Sequence, residues 1–106
     1  MLGHKTMIAE NPVSALSLFN TIDFDIVISE YFSDDKNYLK LFKKILSNKR
    51  QIKIIILTAM NYDLEDLQPL HNLGIENIFQ KPIDPKIICK MIENFSHQHK
   101  LSVPLK

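Results

Sequence analysis

The chain reads as an α/β protein, a parallel sheet of about four strands with helices between them. Three observations predict this. A short apolar run, a turn signal and an amphipathic stretch follow one another four times along the 106 residues. The runs are continuously apolar, as Ile26-Val27-Ile28 is, which suits strands covered on both faces. The stretches between them carry apolar residues at helical spacing, and strands alternating with helices make parallel sheets with right-handed crossovers.

Thr6 to Ala9 is the first run. Asn11-Pro12 follows as a helix cap with proline at the first helical position, and Ala15, Leu16 and Phe19 form the buried stripe. The second run is Ile26 to Ser29, then Ser33-Asp34-Asp35 as a helix start with Leu39, Phe42 and Leu46 facing inward. Ile52 to Leu57 is the strongest strand signal, nearly all β-branched. Its helix is interrupted by Pro69, which costs about 3 kcal/mol in a helix interior, so the helix is expected to start late, near Asp66 or Leu67. Gly74 should end it in a left-handed cap. The last run, Ile75 to Phe79, closes at Lys81-Pro82. Asp84-Pro85 then caps a helix whose apolar face is Ile87, Ile88, Met91, Ile92 and Phe95. One domain is expected over residues 1–96, with a polar tail at 97–106; Pro104 forbids helix near its end, and His97 and His99, two apart, share no helix face for a metal.

Composition narrows the function. A net charge of +1 gives no field for steering nucleic acid or an anionic membrane, and Lys43-Lys44 with Lys49-Arg50 reads as a solvated helix face. No apolar run approaches the ~20 residues of a membrane span. Cys89 is the single cysteine, so a reducing, cytoplasmic setting is expected, and its apolar neighbours mark it as a small core residue. Gly3 and Gly74 are the only glycines, which speaks against a nucleotide- or flavin-binding α/β domain with a glycine-rich phosphate loop.

Ligands of parallel sheets gather at the carboxyl ends of the strands. There the sequence puts Glu10, Glu30, Thr58 and Lys81. An acid, a hydroxyl and an ammonium converging at one edge suit phosphoryl chemistry, the carboxylate receiving the group while the other two hold its oxygens. The same residues also suit a plain strand-end salt bridge between Glu30 and Lys81, with Thr58 capping a turn.

The stretches DIVISE (25–30), IIILTA (54–59) and FQKP (79–82) resemble the three hallmark blocks of response-regulator receiver domains, those like the chemotaxis regulator, and the resemblance runs from Lys5 to Phe95. It implies a flavodoxin-like sheet. It also places Glu30 at the phosphoacceptor position, Thr58 with Ala59 at the switch hydroxyl, Lys81 at the essential lysine and Ile78 at the switch-aromatic position. Three departures follow. The acceptor is Glu where the family has Asp. The family's first strand and helix are not recognisable, and with them goes the acidic pair that holds Mg²⁺, so no metal or cofactor is expected unless that pair is supplied. Ile78 has no ring to swing.

The resemblance therefore implies a degenerate, non-catalytic receiver that acts by protein contact, with Glu30 imitating a phosphorylated acid toward Thr58 and Lys81. The alternative is a working acceptor that takes phosphate from a histidine kinase, the chain being a fragment; Leu2-Gly3-His4 reads as the end of a preceding helix. Without the first strand, Thr6–Ala9 and Ile26–Ser29 either pair directly or leave a gap for another segment. The face once covered by the lost helix is expected to stay bare beside the last helix, and to carry a homodimer contact or a histidine kinase or output protein.

Overall fold

The computed structural model describes residues 5–48, 51–59 and 61–102, with 95–102 described by their backbone. Leu2-Gly3-His4, Lys49 and Arg50, the tail from Val103 and the side chains of Phe95, His97 and His99 lie outside the described residues.

The elements follow one another as β1 (Thr6–Ala9), α1 (Pro12–Phe19), β2 (Ile26–Ser29), α2 (Lys36–Leu46), β3 (Lys53–Thr58), α3 (Leu64–Asn72), β4 (Ile78–Gln80) and α4 (Pro85–Ser102). The strands form one parallel sheet in the order β1-β2-β3-β4. Of the two arrangements open from sequence, direct pairing holds: Thr6 stands opposite Ile26, and Ser29 opposite both Ala9 and Ile56.

Pleating sends alternate residues to opposite faces. Met7, Ala9, Val27, Ile54 and Ile56 point to one side, where they join Ala15 and Phe19 of α1, Leu41, Phe42 and Ile45 of α2, and Leu70 of α3 in the main core. Ile26 and Ile55 point to the other, against Ile88, Met91 and Ile92 of α4, in a smaller cluster. α4 does not cover β1 on this side: Ile8 is 70% exposed.

Caps set the helix starts. Asn11 Oδ1 accepts from Val13 and Ser14 N–H, with Pro12 at the first helical position, and Asp35 accepts from Asn37 N–H. α3 corrects the sequence expectation. It begins at Leu64, ahead of Asp66, and carries Pro69 in its interior. A capping box starts it: Asp66 N–H donates to Asp63 Oδ1 at 2.9 Å, and Asp63 N–H to Asp66 Oδ2 at 3.2 Å. At the other end Gly74, at φ 83°, donates to the His71 carbonyl, and Ile75 N–H reaches back to the Leu70 carbonyl. This Schellman ending brings buried Leu70 and Ile75 together. A cap worth about 1 kcal/mol and the burial of Leu70, about 1.5–3 kcal/mol, offset the roughly 3 kcal/mol proline cost.

α4 continues to Ser102, so the backbone of the polar stretch at His97 and His99 is helical. One further correction concerns this helix. Cys89 is exposed on it, not a core residue, because the α4 stripe facing the sheet is Ile88, Met91 and Ile92 and Cys89 falls to its side.

Candidate functional site

The carboxyl ends of the strands carry the candidate site, as the parallel topology requires. Glu30 follows β2 directly and Lys81 follows β4. Strand alternation turns both toward the α4 side of the sheet, and there Lys81 Nζ donates to Glu30 Oε1 at 2.6 Å. The two side chains are 42% and 34% exposed, so the pair is a partly solvated charge-assisted hydrogen bond. Exposed ion pairs contribute about 0.2–1 kcal/mol, too little to hold the sheet together.

Thr58 ends β3 on the opposite side of the pleat. It is buried, at 4% exposure, and its hydroxyl reaches the Tyr31 carbonyl, one residue past Glu30, across a long 3.5 Å. Thr58 and Glu30 are thereby connected through the β2–α2 loop backbone. Ser29 tightens the same turn, donating its hydroxyl to the Glu30 carbonyl at 2.7 Å. Ala59 lies one residue further, on the wall of an apolar cleft with Leu57, Lys81, Ile88 and Cys89. The Lys81–Pro82 peptide bond in that wall is cis. Ile78 faces the main core, half-buried.

A cavity of about 420 Å³ opens over the Glu30–Lys81 pair, floored by Ile8, Ile28 and Leu57 and rimmed by Glu10 and Glu30. A divalent ion needs converging carboxylates. The acids lining this cavity are Glu10 and Glu30, and Glu30 already holds an ammonium; among the described residues no three His, Cys, Asp or Glu converge. Asp35 is committed to capping α2. The described residues that line this cavity do not fit a Mg²⁺ seat.

Sequence reasoning missed an aromatic cluster beside the site. Tyr31, completely enclosed, meets Tyr38 and Tyr62 edge-on, at 6.2 and 6.0 Å between ring centres, and Phe42 at 6.4 Å. Tyr62 Oη accepts from Ser33 N–H at 3.1 Å, tying the β3–α3 loop to the β2–α2 loop. Burial pushes the Tyr31 and Tyr38 hydroxyls above their ordinary 10.0; nearby Tyr62 and Asp66 add to this for Tyr31, and Glu30, Asp35 and Tyr62 for Tyr38. The signal was present as Tyr31-Phe32 directly after Glu30, but loop aromatics have no period to reveal their partners.

Comparisons with known proteins bear on the family and the fold. The chain is 30% identical over 94 residues to "Probable transcriptional regulator ycf29" of Pyropia yezoensis, covering 87% of this chain and 42% of the relative. It is 26% identical over 96 residues to "Transcriptional regulatory protein GlrR" of Escherichia coli, covering 91% of the chain and 21% of that protein. It therefore spans less than half the length of these relatives. The N-terminal domain of an uncharacterized protein, WS1339, from Wolinella succinogenes shares the fold with a TM-score of 0.67 at 18% identity, over 93% of this chain and 98% of that one. The family model described as the response regulator receiver domain matches residues 2–93. That match spans most of the 106 residues, and the chain belongs to the response-regulator receiver-domain family.

Proposed function

We propose that this chain is a degenerate receiver domain, a non-enzymatic module of two-component signalling that acts in the cytoplasm through protein contacts and takes up no phosphate itself. The supporting observation is the 2.6 Å pairing of Lys81 with Glu30. The lysine that would hold an incoming phosphoryl oxygen holds a carboxylate oxygen instead. Glu at the acceptor position projects about 1.5 Å further than Asp, and misplacement near 1 Å can cost in-line attack about 100-fold. Phosphoryl transfer also relies on Mg²⁺ to neutralise charge, and the acids at the cavity do not suit that ion. In this reading Glu30 stands as a fixed negative charge where a phosphorylated acid would be. Thr58 responds to it through the Tyr31 carbonyl.

The partners proposed are a histidine kinase or an output protein, and a second copy of the chain. Relatives named as transcriptional regulators support an output acting on transcription, carried by polypeptide beyond the region they share with this chain.

Incubation with acetyl phosphate and Mg²⁺, followed by intact-mass measurement, should leave the mass unchanged. Addition of one phosphoryl group, abolished by Glu30→Gln, would establish a working acceptor and overturn the proposal. Glu30→Gln itself should alter unfolding stability by less than about 1 kcal/mol, so loss of folding cannot imitate the result.

A further inference from the structure

α2 carries its charge on one side. Lys36, Lys40, Lys43 and Lys44 recur at spacings of three and four, so they share one face of the helix, and all four are exposed. The opposite face is Tyr38, Leu41, Phe42 and Ile45, buried in the main core. The lysines therefore point away from the sheet, on the side opposite α4 and the Glu30–Lys81 pair.

Among the described residues nothing balances this stripe. α2 contains no acid, and no ion pair joins any of the four lysines to a carboxylate. α1, packed beside α2, has no charged residue. On α3, Asp66 is taken up with Asp63 in the capping box, and Asp35 caps α2 itself. The helix dipole accounts for Lys43 and Lys44, which lie in the last turn, where cations are favoured. It does not account for the other two. Lys36 stands in the first turn, where a cation is disfavoured, and Lys40 has Lys36 one turn before it and Lys43 and Lys44 one turn after. Like charges at those spacings destabilise a helix. Local stability thus does not explain the stripe, whereas contact with an anion does.

We propose that this face of α2 binds an acidic segment of a protein partner, whose carboxylates repeat at helical spacing along it. The extent and surroundings of the stripe select this class of anion. From Lys36 to Lys44 the helix rises about 12 Å, which suits a segment of a few turns. A nucleic acid presents a charge about every 1.7 Å over a far longer span. Beyond the stripe it would meet the uncharged α1 on one flank and Asp63, Glu65 and Asp66 on the other, in a chain of net charge +1. A bilayer is disfavoured because the apolar face of α2 is buried in the core and cannot enter lipid. The inference rests on the proposed function only in taking the partner to be a protein, and it assigns the contact to the side of the sheet away from Glu30 and Lys81.

Fluorescence anisotropy tests it, with a dye-labelled, alanine-based helical peptide bearing a stripe of glutamates as the probe. The wild-type chain should bind this peptide, more weakly as salt rises. A DNA duplex or phosphatidylserine vesicles, added at the same concentration of negative charge, should not displace it. Lys40→Glu should raise the dissociation constant roughly tenfold or more. The same variant should keep or raise the urea midpoint, because it turns three like-charge neighbours into opposite-charge ones, so lost folding cannot imitate lost binding. Lys36→Glu, which also puts an acid in the first turn, should act in the same direction on both. Lys90→Glu, an equal change of charge on exposed α4, should leave binding unchanged. Absence of peptide binding, equal weakening by Lys40→Glu and Lys90→Glu, or displacement by the duplex or the vesicles would each overturn the proposal. The phosphate-uptake assay involves none of these lysines, so the two proposals fail separately.

Discussion

At the scale of single residues, the site is decided by which side of the pleat each one occupies. Glu30 and Lys81 leave the ends of β2 and β4 on the same side and meet across the end of β3, whose Thr58 leaves on the other side and reaches the Tyr31 carbonyl beside Glu30. The tyrosines below it carry a pH dependence. Tyr31 and Tyr38 hold their protons more tightly folded than unfolded, since burial disfavours the phenolate. Below the unfolded value of 10.0 both states are protonated and this contribution is fully present. Above it the unfolded chain releases protons first, so stability falls as pH climbs toward the raised folded values. Urea unfolding followed from neutral pH to pH about 11 should show this loss, and Tyr38→Phe should reduce it. Lysine titration is common to both proteins, so the difference between them isolates the tyrosine.

At the scale of elements, α3 shows local chemistry overriding a breaker. Pro69 lacks the N–H that would serve the Glu65 carbonyl, yet the helix is fastened at both ends, by Asp63 with Asp66 and by Gly74 with Ile75. Pro69→Ala should therefore stabilise the protein by roughly 1–3 kcal/mol, read as a higher urea midpoint at unchanged slope. An unchanged or lower midpoint would mean that the proline ring makes packing contacts worth as much as the missing hydrogen bond.

For the whole molecule, stability is concentrated on one face of the sheet. Leu41 is fully enclosed between α1, α2 and the strands, whereas Ile8 stands open on the side that α4 leaves bare. Leu41→Ala should cost about 2–5 kcal/mol. Ile8→Ala, in protein dilute enough to be monomeric, should change stability by no more than about 0.5 kcal/mol. The same asymmetry appears in the core: the larger cluster lies on the α1–α2–α3 side of the sheet and the smaller one under α4.

Sequence by itself determined the parallel class, the first three strands to within a residue, and the helix starts at Asn11-Pro12, Asp35 and Asp84-Pro85, because β-branched runs and caps act locally; the fourth strand is Ile78–Gln80 and not Ile75–Phe79, since Ile75 is taken up by the ending of α3. It also brought Glu30, Thr58 and Lys81 to one edge, since topology sends strand ends there. The tertiary structure decided what depends on neighbours distant in sequence. It let β1 pair directly with β2 and kept Pro69 inside α3 because buried Leu70 and Ile75 close the far end. It put Cys89 on the surface, where sequence had assigned it to the core. It gathered loop residues Tyr31 and Tyr62 against Tyr38 of α2 under the site, contacts that no periodicity in the loops encodes.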